Sequence, residues 1–319
     1  MTFKINDIPT CCPDCHGELN HTGSGNSGCR LVCVQCDMEY PFSGTVPVLI
    51  EKNNPMFNAN DIAASSTTLF SRSLIRRLGS ALPQPTAELG KKAIRRLLNE
   101  HAPSLGQRCL VIGSGDDADW NDMIADLFAN TVITDVATAP QASAICDGHK
   151  LPFPDNSFDS VTVIAVLEHV LDPEQVVSEV GRVLRKGGMV VADVPFMQQV
   201  HLGAYDFKRY SDLGLRWLFR NFDEIERGVS AGPASVLVWA ILYLVMSIMP
   251  GWRSRLIAKA MVRLVFGWIK YADYLLARRP GACDGASGLY FVGTNRKTST
   301  LAAGELVADY RGSDKVSTT

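Results

Sequence analysis

The chain has 319 residues, 46% of them hydrophobic, and a formal net charge of −2 at pH 7. This length is enough for one enzyme-sized domain with a small appended unit, and the composition permits a large buried core. The balanced charge excludes a chain that is basic overall, so it gives no reason to expect nucleic acid as a partner. The opening MTFKINDIPT lacks the basic start and apolar run of a signal peptide, which predicts a cytoplasmic location.

Four cysteines near the start form two pairs, each with two residues between its members. In a reducing compartment such cysteines are free thiols or metal ligands rather than disulfides. Two pairs of this kind, with glycines between them, are typical of knuckles that hold one Zn²⁺ in a tetrahedron of thiolates. Four thiolates close the coordination shell, so the zinc is predicted to be structural. Nearby Cys11, Cys29 and His16 are alternative donors, and four thiols without a metal are the other alternative. The predicted ligands are Cys12, Cys15, Cys33 and Cys36.

The sequence around these cysteines resembles the small zinc-ribbon proteins that activate eukaryotic methyltransferases, and the ribbons fused to some bacterial ones. The resemblance rests on CPDCHGEL and on LVCVQCDMEYPFSGTVPVLI, and covers about residues 10–51. In that pattern a Tyr-Pro step and a Gly-x-Pro-Val-Leu ending follow the second knuckle. We therefore predict a zinc-ribbon domain over residues 1–51, and the resemblance implies a partner domain downstream.

Residues 52–89 begin as a polar stretch without a sustained period, which predicts a linker followed by a leading helix. Apolar and basic residues recur at helical spacing in SRSLIRRLGS and again in ELGKKAIRRLLNEHA. Their arginines are typical of a solvated helix face, with phosphate or lipid headgroups as alternative ligands.

The next segments predict a sheet whose polar residues lie at one edge. RCLVIGSG, residues 108–115, reads as a buried strand that ends in glycines and is followed by a helical pattern. TVITDV, SAICDG and FDSVTVIAVLEHV predict three further strands, each with polar residues at its carboxyl end. Open parallel sheets bind ligands at that edge, so the pattern predicts a ligand site there.

The order of these segments resembles that of class I S-adenosylmethionine-dependent methyltransferases. Residues 151–196 carry most of the resemblance, with the family's Leu-Pro-Phe start, its Leu-Glu-His-Val stretch and its Arg-Val-Leu-x-x-Gly-Gly ending. The resemblance implies an α/β, Rossmann-like seven-stranded methyltransferase sheet over residues 90–296, fused to the small zinc ribbon. It also implies S-adenosylmethionine as the cofactor. The polar tail, residues 297–319, is predicted to be disordered.

The family pattern also assigns roles at the strand ends. The glycine loop would let the backbone approach the methionine part of the cofactor. Asp135 would accept both ribose hydroxyls, because a carboxylate offers two oxygens to a vicinal diol, and Asp147 would lie near the adenine amino group. A turn or a helix cap is the alternative role for either aspartate. The implied cofactor-binding residues are Gly113, Ser114, Gly115, Asp135, Asp147 and Gly148.

Two departures from the family pattern affect the glycine loop. The acidic residue expected two positions before the first glycine is Val111 here, and the third glycine is replaced by Asp117. Asp116 or Asp117 would have to compensate at the amino-acid end of the cofactor. Only 11 residues separate Asp135 from Asp147, too few for the usual helix, so the sheet edge is predicted to be trimmed there. These departures leave a non-catalytic partner protein without cofactor binding as one alternative.

After the fifth predicted strand, residues 197–219 gather polar side chains just beyond a carboxyl end. They resemble the His-x-x-x-Tyr-Asp-Phe-x-Arg stretch of some methyltransferases of unassigned substrate. Such a cluster can bind polar groups of a substrate or take a proton from a nucleophile, and a loop held by its own hydrogen bonds is the alternative. Glu168 and His169 are also expected to face the site. The predicted catalytic residues are His201, Tyr205 and Asp206.

Residues 229–287 form an insertion between predicted strands six and seven, which meet at the carboxyl edge, so the insertion should emerge over the active site. Its uncharged run is bounded by Pro233 and Pro250, and the 16 residues between them are fewer than the ~20 that a membrane helix needs. Two arrangements stay open. The insertion is either a lid packed on the sheet, or a helix pair that lies on a membrane with its basic stripe toward the headgroups.

Together these patterns predict methyl transfer from S-adenosylmethionine to a small-molecule acceptor that is apolar or lipid-linked. The predicted location is the cytoplasm, with contact at the inner membrane face if the insertion docks there. A ribosomal or transfer RNA methyltransferase is an alternative that the balanced charge disfavours. The methyl acceptor and the oligomeric state do not follow from the sequence.

Overall fold

A computed structural model of the chain describes residues 2–22, 29–64, 84–113, 117–279, 281–295 and 300–313. Ser114, Gly115 and Asp116 of the predicted glycine loop lie outside the described residues, as does the helix predicted within residues 71–80.

The described residues form thirteen strands and nine α-helices. The strands are β1 Lys4–Ile5, β2 Ile8–Pro9, β3 Leu19–Thr22, β4 Arg30–Cys33, β5 Glu39–Ser43, β6 Val46–Leu49, β7 Arg108–Ile112, β8 Asn130–Asp135, β9 Ala144–Cys146, β10 Phe158–Ile164, β11 Leu184–Pro195, β12 Asp223–Ala231 and β13 Gly288–Thr294. The helices are α1 Ala59–Ala64, α2 Leu89–His101, α3 Ala118–Leu127, α4 Pro173–Val183, α5 Asp212–Leu218, α6 Pro233–Ile248, α7 Trp252–Phe266, α8 Asp273–Leu276 and α9 Ala303–Ala308.

Seven of these strands form the sheet that the resemblance implied. Their spatial order is β12-β13-β11-β10-β7-β8-β9. Strands β7 to β11 run parallel, and β13 is inserted antiparallel between β11 and β12. The parallel strands are nearly continuous apolar runs because both faces of such a sheet are covered by helices. This confirms the Rossmann-like α/β fold.

The two faces of the sheet are covered by different helices. On one face, Ile94 and Leu98 of α2 and Ile124 of α3 pack in one core cluster with Val111 and Val191. On the other face, side chains of α4 and α5 pack against the alternate residues of the same strands, among them Leu110, Ile112, Val161 and Val190. The alternation follows from the two-residue period of a strand, which sends neighbouring side chains to opposite faces.

The sheet does not end at β9 but continues into the amino-terminal unit. Strand β6 pairs in parallel with β9, with Val48 opposite Ile145 and Leu49 opposite Cys146. Strands β5, β4 and β3 then extend the same sheet in antiparallel order, so that it has 11 strands within the described residues. The edge is trimmed as predicted, since no helix stands between β8 and β9 and β9 has three residues. Strand β6 covers this short edge, which would otherwise present unpaired backbone groups.

The insertion leaves the sheet at its carboxyl edge and forms α6, α7, a short 3₁₀ segment and α8. Helix α6 is capped by a residue from the far end of the insertion, the fully buried Asp273. Its carboxylate accepts hydrogen bonds from the backbone N–H groups of Gly232, Ala234 and Ser235 at 3.1, 2.8 and 3.0 Å. An anion at this position also complements the helix dipole. Among the described helices, none combines the length and apolar character needed to cross a bilayer.

The carboxyl-terminal tail differs from the prediction of disorder over residues 297–319. Residues 300–313 contain α9, and the buried guanidinium of Arg227 contacts carboxylates of both Asp212 and Asp309. Arg311 adds an ion pair to Glu224 at 2.7 Å. The prediction was wrong for this part because the tail is held by charges more than 80 positions earlier in the chain, which its own polar composition does not reveal.

Candidate functional site

The four predicted zinc ligands lie together at the amino-terminal end of the chain. The Sγ atom of Cys15 is 3.4 Å from those of Cys33 and Cys36, and Cys12 Sγ is 3.7 Å from Cys36 Sγ. A tetrahedral Zn²⁺ with Zn–S bonds of ~2.3 Å would separate its sulfurs by about 3.8 Å. The donor set therefore fits one zinc ion with a closed shell.

The two knuckles share a local backbone conformation. The residue directly after each pair, His16 or Asp37, has a positive φ, 59° and 56° respectively. At Gly17 a Cβ atom would lie 2.9 Å from Cys33 Sγ, so this position has no room for a side chain. Burial opposes ionisation of Cys33, but backbone N–H groups of Cys36 and Gln35 outweigh it and lower the pKa of this thiol to about 7.

The alternative donors point elsewhere. Cys29 Sγ lies 2.7 Å from His21 Nε2, and the buried Cys11 Sγ lies 3.7 Å from His16 Nδ1. None of these residues belongs to the group of four whose ligand atoms lie within 4.8 Å of one another. The structure thus favours the four cysteines that the spacing predicted.

A cavity of about 370 Å³ opens at the carboxyl ends of β7, β8, β9 and β10. Gly113 lines it in a left-handed conformation, with φ +74°, and a Cβ there would lie 2.3 Å from Val166 Cγ2. Only glycine meets both requirements at this position. Asp135, Asp147 and Gly148 line the same cavity, so the structure brings together every predicted cofactor-binding residue that it describes.

The two aspartates of this cavity are held differently. Asp135 is 7% exposed, and its Oδ1 accepts a hydrogen bond from the Ala137 N–H at 3.2 Å. Asp147 is engaged through both oxygens, by the Asn54 side-chain amide at 2.6 Å and by the imidazole and N–H of His149 at 2.6 and 3.0 Å. Burial raises the pKa of Asp147, but the hydrogen bonds from His149 more than offset it and lower this pKa. Asp147 is therefore an ionised group that organises the loop around the cavity.

The segment after the ribbon also lines the cavity, which sequence reasoning missed. Met56 and Phe57 line it, although residues 52–89 were predicted as a linker and leading helix. The carbonyl oxygen of the Asn54 side chain accepts from the N–H groups of both residues, at 3.0 and 2.8 Å. No local signal marks this role, because the segment reaches the cavity only through the pairing of β6 with β9.

The two departures from the family pattern have structural explanations. Val111 points to the face of the sheet that packs against α2 and α3. Asp117 is the N-cap of α3, where its side chain accepts from the Trp120 N–H at 3.2 Å and pairs with Lys91. The replacement of the third glycine by Asp117 thus supplies a helix cap.

A second cavity of about 270 Å³ adjoins the first, and the two share Ala165 and His201 in their walls. It is lined by Asp193 at the carboxyl end of β11, by Lys91 and by Ser230. Asp193 accepts a hydrogen bond from Ser230 Oγ at 2.8 Å, and burial raises the pKa of its carboxyl to about 7. Sequence reasoning missed Asp193, although the same rule of polar residues at strand ends would have found it.

Of the three residues predicted to be catalytic, His201 alone lines either of these two cavities. Asp206 accepts from the His201 N–H at 2.9 Å and pairs with Arg209, which more than offsets burial and lowers the Asp206 pKa to about 2. Tyr205 is 41% exposed, and its backbone carbonyl oxygen is the acceptor that lies 2.6 Å from His169 Nδ1. Glu168 lines the second cavity and His169 the first, as expected.

Comparisons with known proteins agree with this fold. Residues 113–192, which are 80 of the 319, match the model of a family described as a methyltransferase domain. A phosphatidylethanolamine N-methyltransferase of Cereibacter sphaeroides is 51% identical over 45 residues, 14% of this chain and 22% of the relative. A ubiquinone/menaquinone biosynthesis C-methyltransferase of Burkholderia mallei is 40% identical over 81 residues, 25% of this chain and 32% of the relative. The chain thus spans about a fifth to a third of these curated relatives.

Among solved structures, the geranyl diphosphate C-methyltransferase of Streptomyces coelicolor is similar with a TM-score of 0.42 and 13% identity, over 64% of this chain and 77% of that one. Residues 113–192 thus match a methyltransferase domain, and the sheet around them has the strand order of a Rossmann-like α/β fold. More particularly, this sheet continues into an amino-terminal four-cysteine unit.

Proposed function

We propose that this protein transfers a methyl group from S-adenosylmethionine to an acceptor with a lipid or long apolar part, at an anionic membrane surface. The observation that carries the proposal is the meeting of two cavities at the carboxyl edge, one suited to the donor and one to the acceptor. The exposed insertion beside them indicates how an apolar acceptor would arrive.

The donor side is supported by the first cavity. S-adenosylmethionine, when bound, supplies a methyl group on a sulfonium sulfur. Asp135 stands buried at the end of β8, where its carboxylate would accept the ribose hydroxyls. Gly113 leaves the backbone open to close approach at the end of β7. Met56 and Phe57 offer apolar contact of the kind that an adenine ring requires.

The acceptor side is supported by the polar groups of the second cavity. Asp193, Glu168 and Lys91 all line it, which suits the polar reacting group of an acceptor rather than its apolar part. With a pKa near 7, Asp193 can take a proton from an acceptor nitrogen or oxygen at neutral pH. We therefore propose Asp193, in addition to His201, for the reacting end of the acceptor.

The insertion supports the membrane part of the proposal. Its helices expose large apolar side chains, several of them more than 60% exposed: Leu244, Ile248, Trp252, Ile257, Trp268 and Leu275. Residues 233–279 hold seven lysines and arginines but a single acidic residue, Asp273, which is buried. An apolar face with basic residues is typical of helices that lie on anionic bilayers. A closed lid would instead bury these side chains, so the exposure favours docking on a membrane.

This exposed surface lies next to the second cavity, which we propose for the acceptor. Ser230 and Ala231, at the end of β12, line the cavity and lead directly into α6. The Tyr243 hydroxyl of α6 donates to the carbonyl of Val200, one residue before His201. Trp239 Nε1 donates to Thr86 Oγ1 at 2.9 Å, and Thr86 also lines the cavity. An acceptor anchored in the bilayer would therefore reach the site along the insertion. The relative from Cereibacter sphaeroides is itself named for a lipid acceptor.

The proposal is tested by following a labelled methyl group. The purified protein is incubated with methyl-labelled S-adenosylmethionine and vesicles of bacterial lipid extract, with total RNA and a water-soluble metabolite extract as parallel acceptors. We expect label in the lipid fraction, and loss of that label with Asp135→Ala. Label in RNA or in water-soluble products would overturn the lipid acceptor. A protein that binds neither the cofactor nor its demethylated product would be the non-catalytic partner instead.

A further inference from the structure

Three side chains at the junction of the two cavities point their ligand atoms at one another. The Nε2 atoms of His169 and His201 are 3.1 Å apart. Glu168 Oε1 lies 3.6 Å from the first and 3.7 Å from the second. The three residues come from two segments more than 30 positions apart, the loop after β10 and the loop after β11. Their convergence is therefore a feature of the fold and not of local sequence.

The outer nitrogens of both imidazoles already have acceptors. His169 Nδ1 is 2.6 Å from the carbonyl oxygen of Tyr205, which can only accept, so Nδ1 carries the proton. His201 Nδ1 lies 3.3 Å from Asp206 Oδ2, a carboxylate held by Arg209. In the neutral rings neither Nε2 atom then carries a proton, and the lone pairs of the two atoms face each other across 3.1 Å. Such an arrangement is repulsive unless a cation lies between them.

Glu168 adds a second, independent observation. Its side chain is 0% exposed, and among the described residues neither carboxylate oxygen has a hydrogen-bond partner. A buried carboxylate without partners is strongly unfavourable, and buried charges normally pair with a counter-charge or bind a metal.

We propose that Glu168, His169 and His201 bind one divalent metal ion, for which Zn²⁺ is the best match. Zinc bonds to imidazole nitrogen and carboxylate oxygen are ~2.0–2.2 Å long. With bonds of this length, the distances among the three ligand atoms correspond to ligand–metal–ligand angles of roughly 100–125°, close to tetrahedral. Two histidines and one carboxylate are a donor set that leaves a coordination position open.

The surroundings of the three ligands have the form that metal sites require. Metal-binding histidines usually donate their other nitrogen to a carbonyl or carboxylate, which fixes the tautomer and the ring orientation. Here the Tyr205 carbonyl and the Asp206 carboxylate occupy those positions. Asp206 and Tyr205 thereby become positioning residues for the two imidazoles, which explains why they converge on the site without lining either cavity.

The open position would face the cavities, because His201 lines both of them while Glu168 and His169 line one each. A metal ion there would hold an acceptor oxygen next to the donor cavity and lower the pKa of that oxygen. This role rests on the proposed methyl transfer. Binding of the ion does not, and it can be measured without any acceptor.

The test is the metal content of the full chain after equilibration with Zn²⁺ and removal of the excess. We expect two zinc equivalents, one in the four-cysteine unit and one in the new site. Glu168→Gln keeps the shape of the side chain but loses its charge, and we expect it to retain one equivalent. His201→Asn, at a partly exposed position, should do the same and serves if the buried variant folds poorly. His101→Asn, at the end of α2, is the matched control and should keep two equivalents.

Calorimetric titration of the protein with Zn²⁺ gives the second readout. In the two site variants we expect the weaker of the two sites to lose at least about a hundredfold in affinity, since even outer partners of a ligand are worth about 10–100-fold. One equivalent in the unmodified protein, or two equivalents in a folded Glu168→Gln protein, would overturn the proposal. Binding of S-adenosylhomocysteine is measured on the same samples, so a failure of the metal site is distinguished from a failure of the methyltransferase proposal.

Discussion

The ribbon and the insertion are both additions to the same sheet, but they differ in how they attach to it and in how much apolar surface they expose. The ribbon joins through backbone hydrogen bonds, with β6 against β9, and buries its apolar residues such as Leu19, Leu31 and Tyr40. The insertion joins through helices and leaves residues such as Ile257 and Leu275 more than 60% exposed. An addition that only stabilises the fold has no reason to expose such surface, whereas one that contacts a membrane does. The difference supports the proposed structural role of the ribbon and the proposed membrane contact of the insertion.

The strongest test of this contrast is Cys33→Ser, which removes one of the four thiolates. Structural zinc contributes on the order of 10 kcal/mol to folding in small zinc units, so we expect the ribbon to unfold. Asn54, Met56 and Phe57 follow the ribbon directly and are held at the first cavity by the pairing of β6 with β9. Unfolding of the ribbon should therefore weaken binding of S-adenosylhomocysteine as well. Elemental analysis, circular dichroism and calorimetry measure these effects. The control is Cys29→Ser, which should retain zinc, and a Cys33→Ser protein with full zinc content would contradict the assignment.

A second test targets the insertion with the double variant Trp252→Glu and Ile257→Glu. Both side chains are more than 60% exposed, so the melting temperature should hardly change. Each buried large apolar side chain is worth about 1.5–3 kcal/mol, so flotation with phosphatidylglycerol vesicles should weaken by roughly a hundredfold or more. Val34→Glu, at an exposed apolar position of the ribbon, is the matched control and should float normally. If the double variant floated as well as the unmodified protein, the insertion would not be the membrane contact.

A third test concerns the sheet edge that both additions adjoin. Asp135→Ala removes the predicted ribose acceptor, and loss of a charged hydrogen-bond partner costs about 1.5–3 kcal/mol. We therefore expect S-adenosylhomocysteine to bind about ten- to a hundredfold more weakly in calorimetry, while vesicle binding and zinc content stay unchanged. Unchanged affinity would show that the cofactor ribose is held elsewhere.

A fourth test is a pH dependence of stability from Asp193. The folded-state pKa of its carboxyl is about 7, above the ordinary value of 3.8, because burial disfavours the charged form more than Ser230 and Lys91 favour it. Its contribution to the free energy of unfolding is therefore fully present below about pH 4 and is lost as the pH rises toward and through 7. Denaturant unfolding between pH 4 and 8 should show this decline, and Asp193→Asn should flatten it. An equal decline in the variant would assign it to other groups.

Local patterns in the sequence predicted much of the fold. The spacing within each cysteine pair, Cys12–Cys15 and Cys33–Cys36, is that of a short metal-binding turn. The apolar runs of β7 to β11 are typical of strands buried on both faces. Asp135 and Asp147 were found because a strand end is visible in the sequence. Their place in one cavity then follows from the parallel direction of the strands.

What the sequence did not predict depends on contacts between distant segments. Asn54 reaches Asp147 across 93 positions, and Arg227 reaches Asp309 across 82. Neither contact can be predicted from the hydrophobic periodicity or the turn residues of the sequence. The sequence also did not predict whether the apolar side chains of the insertion are exposed. An apolar helix has the same sequence pattern whether its apolar face packs on a sheet or contacts a bilayer.

The parallel pairing of β6 with β9 also constrains how the chain assembles. Val48 must meet Ile145, so nearly a hundred residues are synthesised between one strand and its partner. Contacts of such long sequence separation form slowly, and domains fold amino-terminal first during synthesis. The ribbon can therefore fold, with the proposed zinc bound, well before β9 is synthesised. Until then the outer edge of β6, with its apolar residues, stays unpaired. During that interval the edge is a template on which two nascent chains could pair with each other, so prompt metal loading without prompt completion of the sheet would favour misassembly.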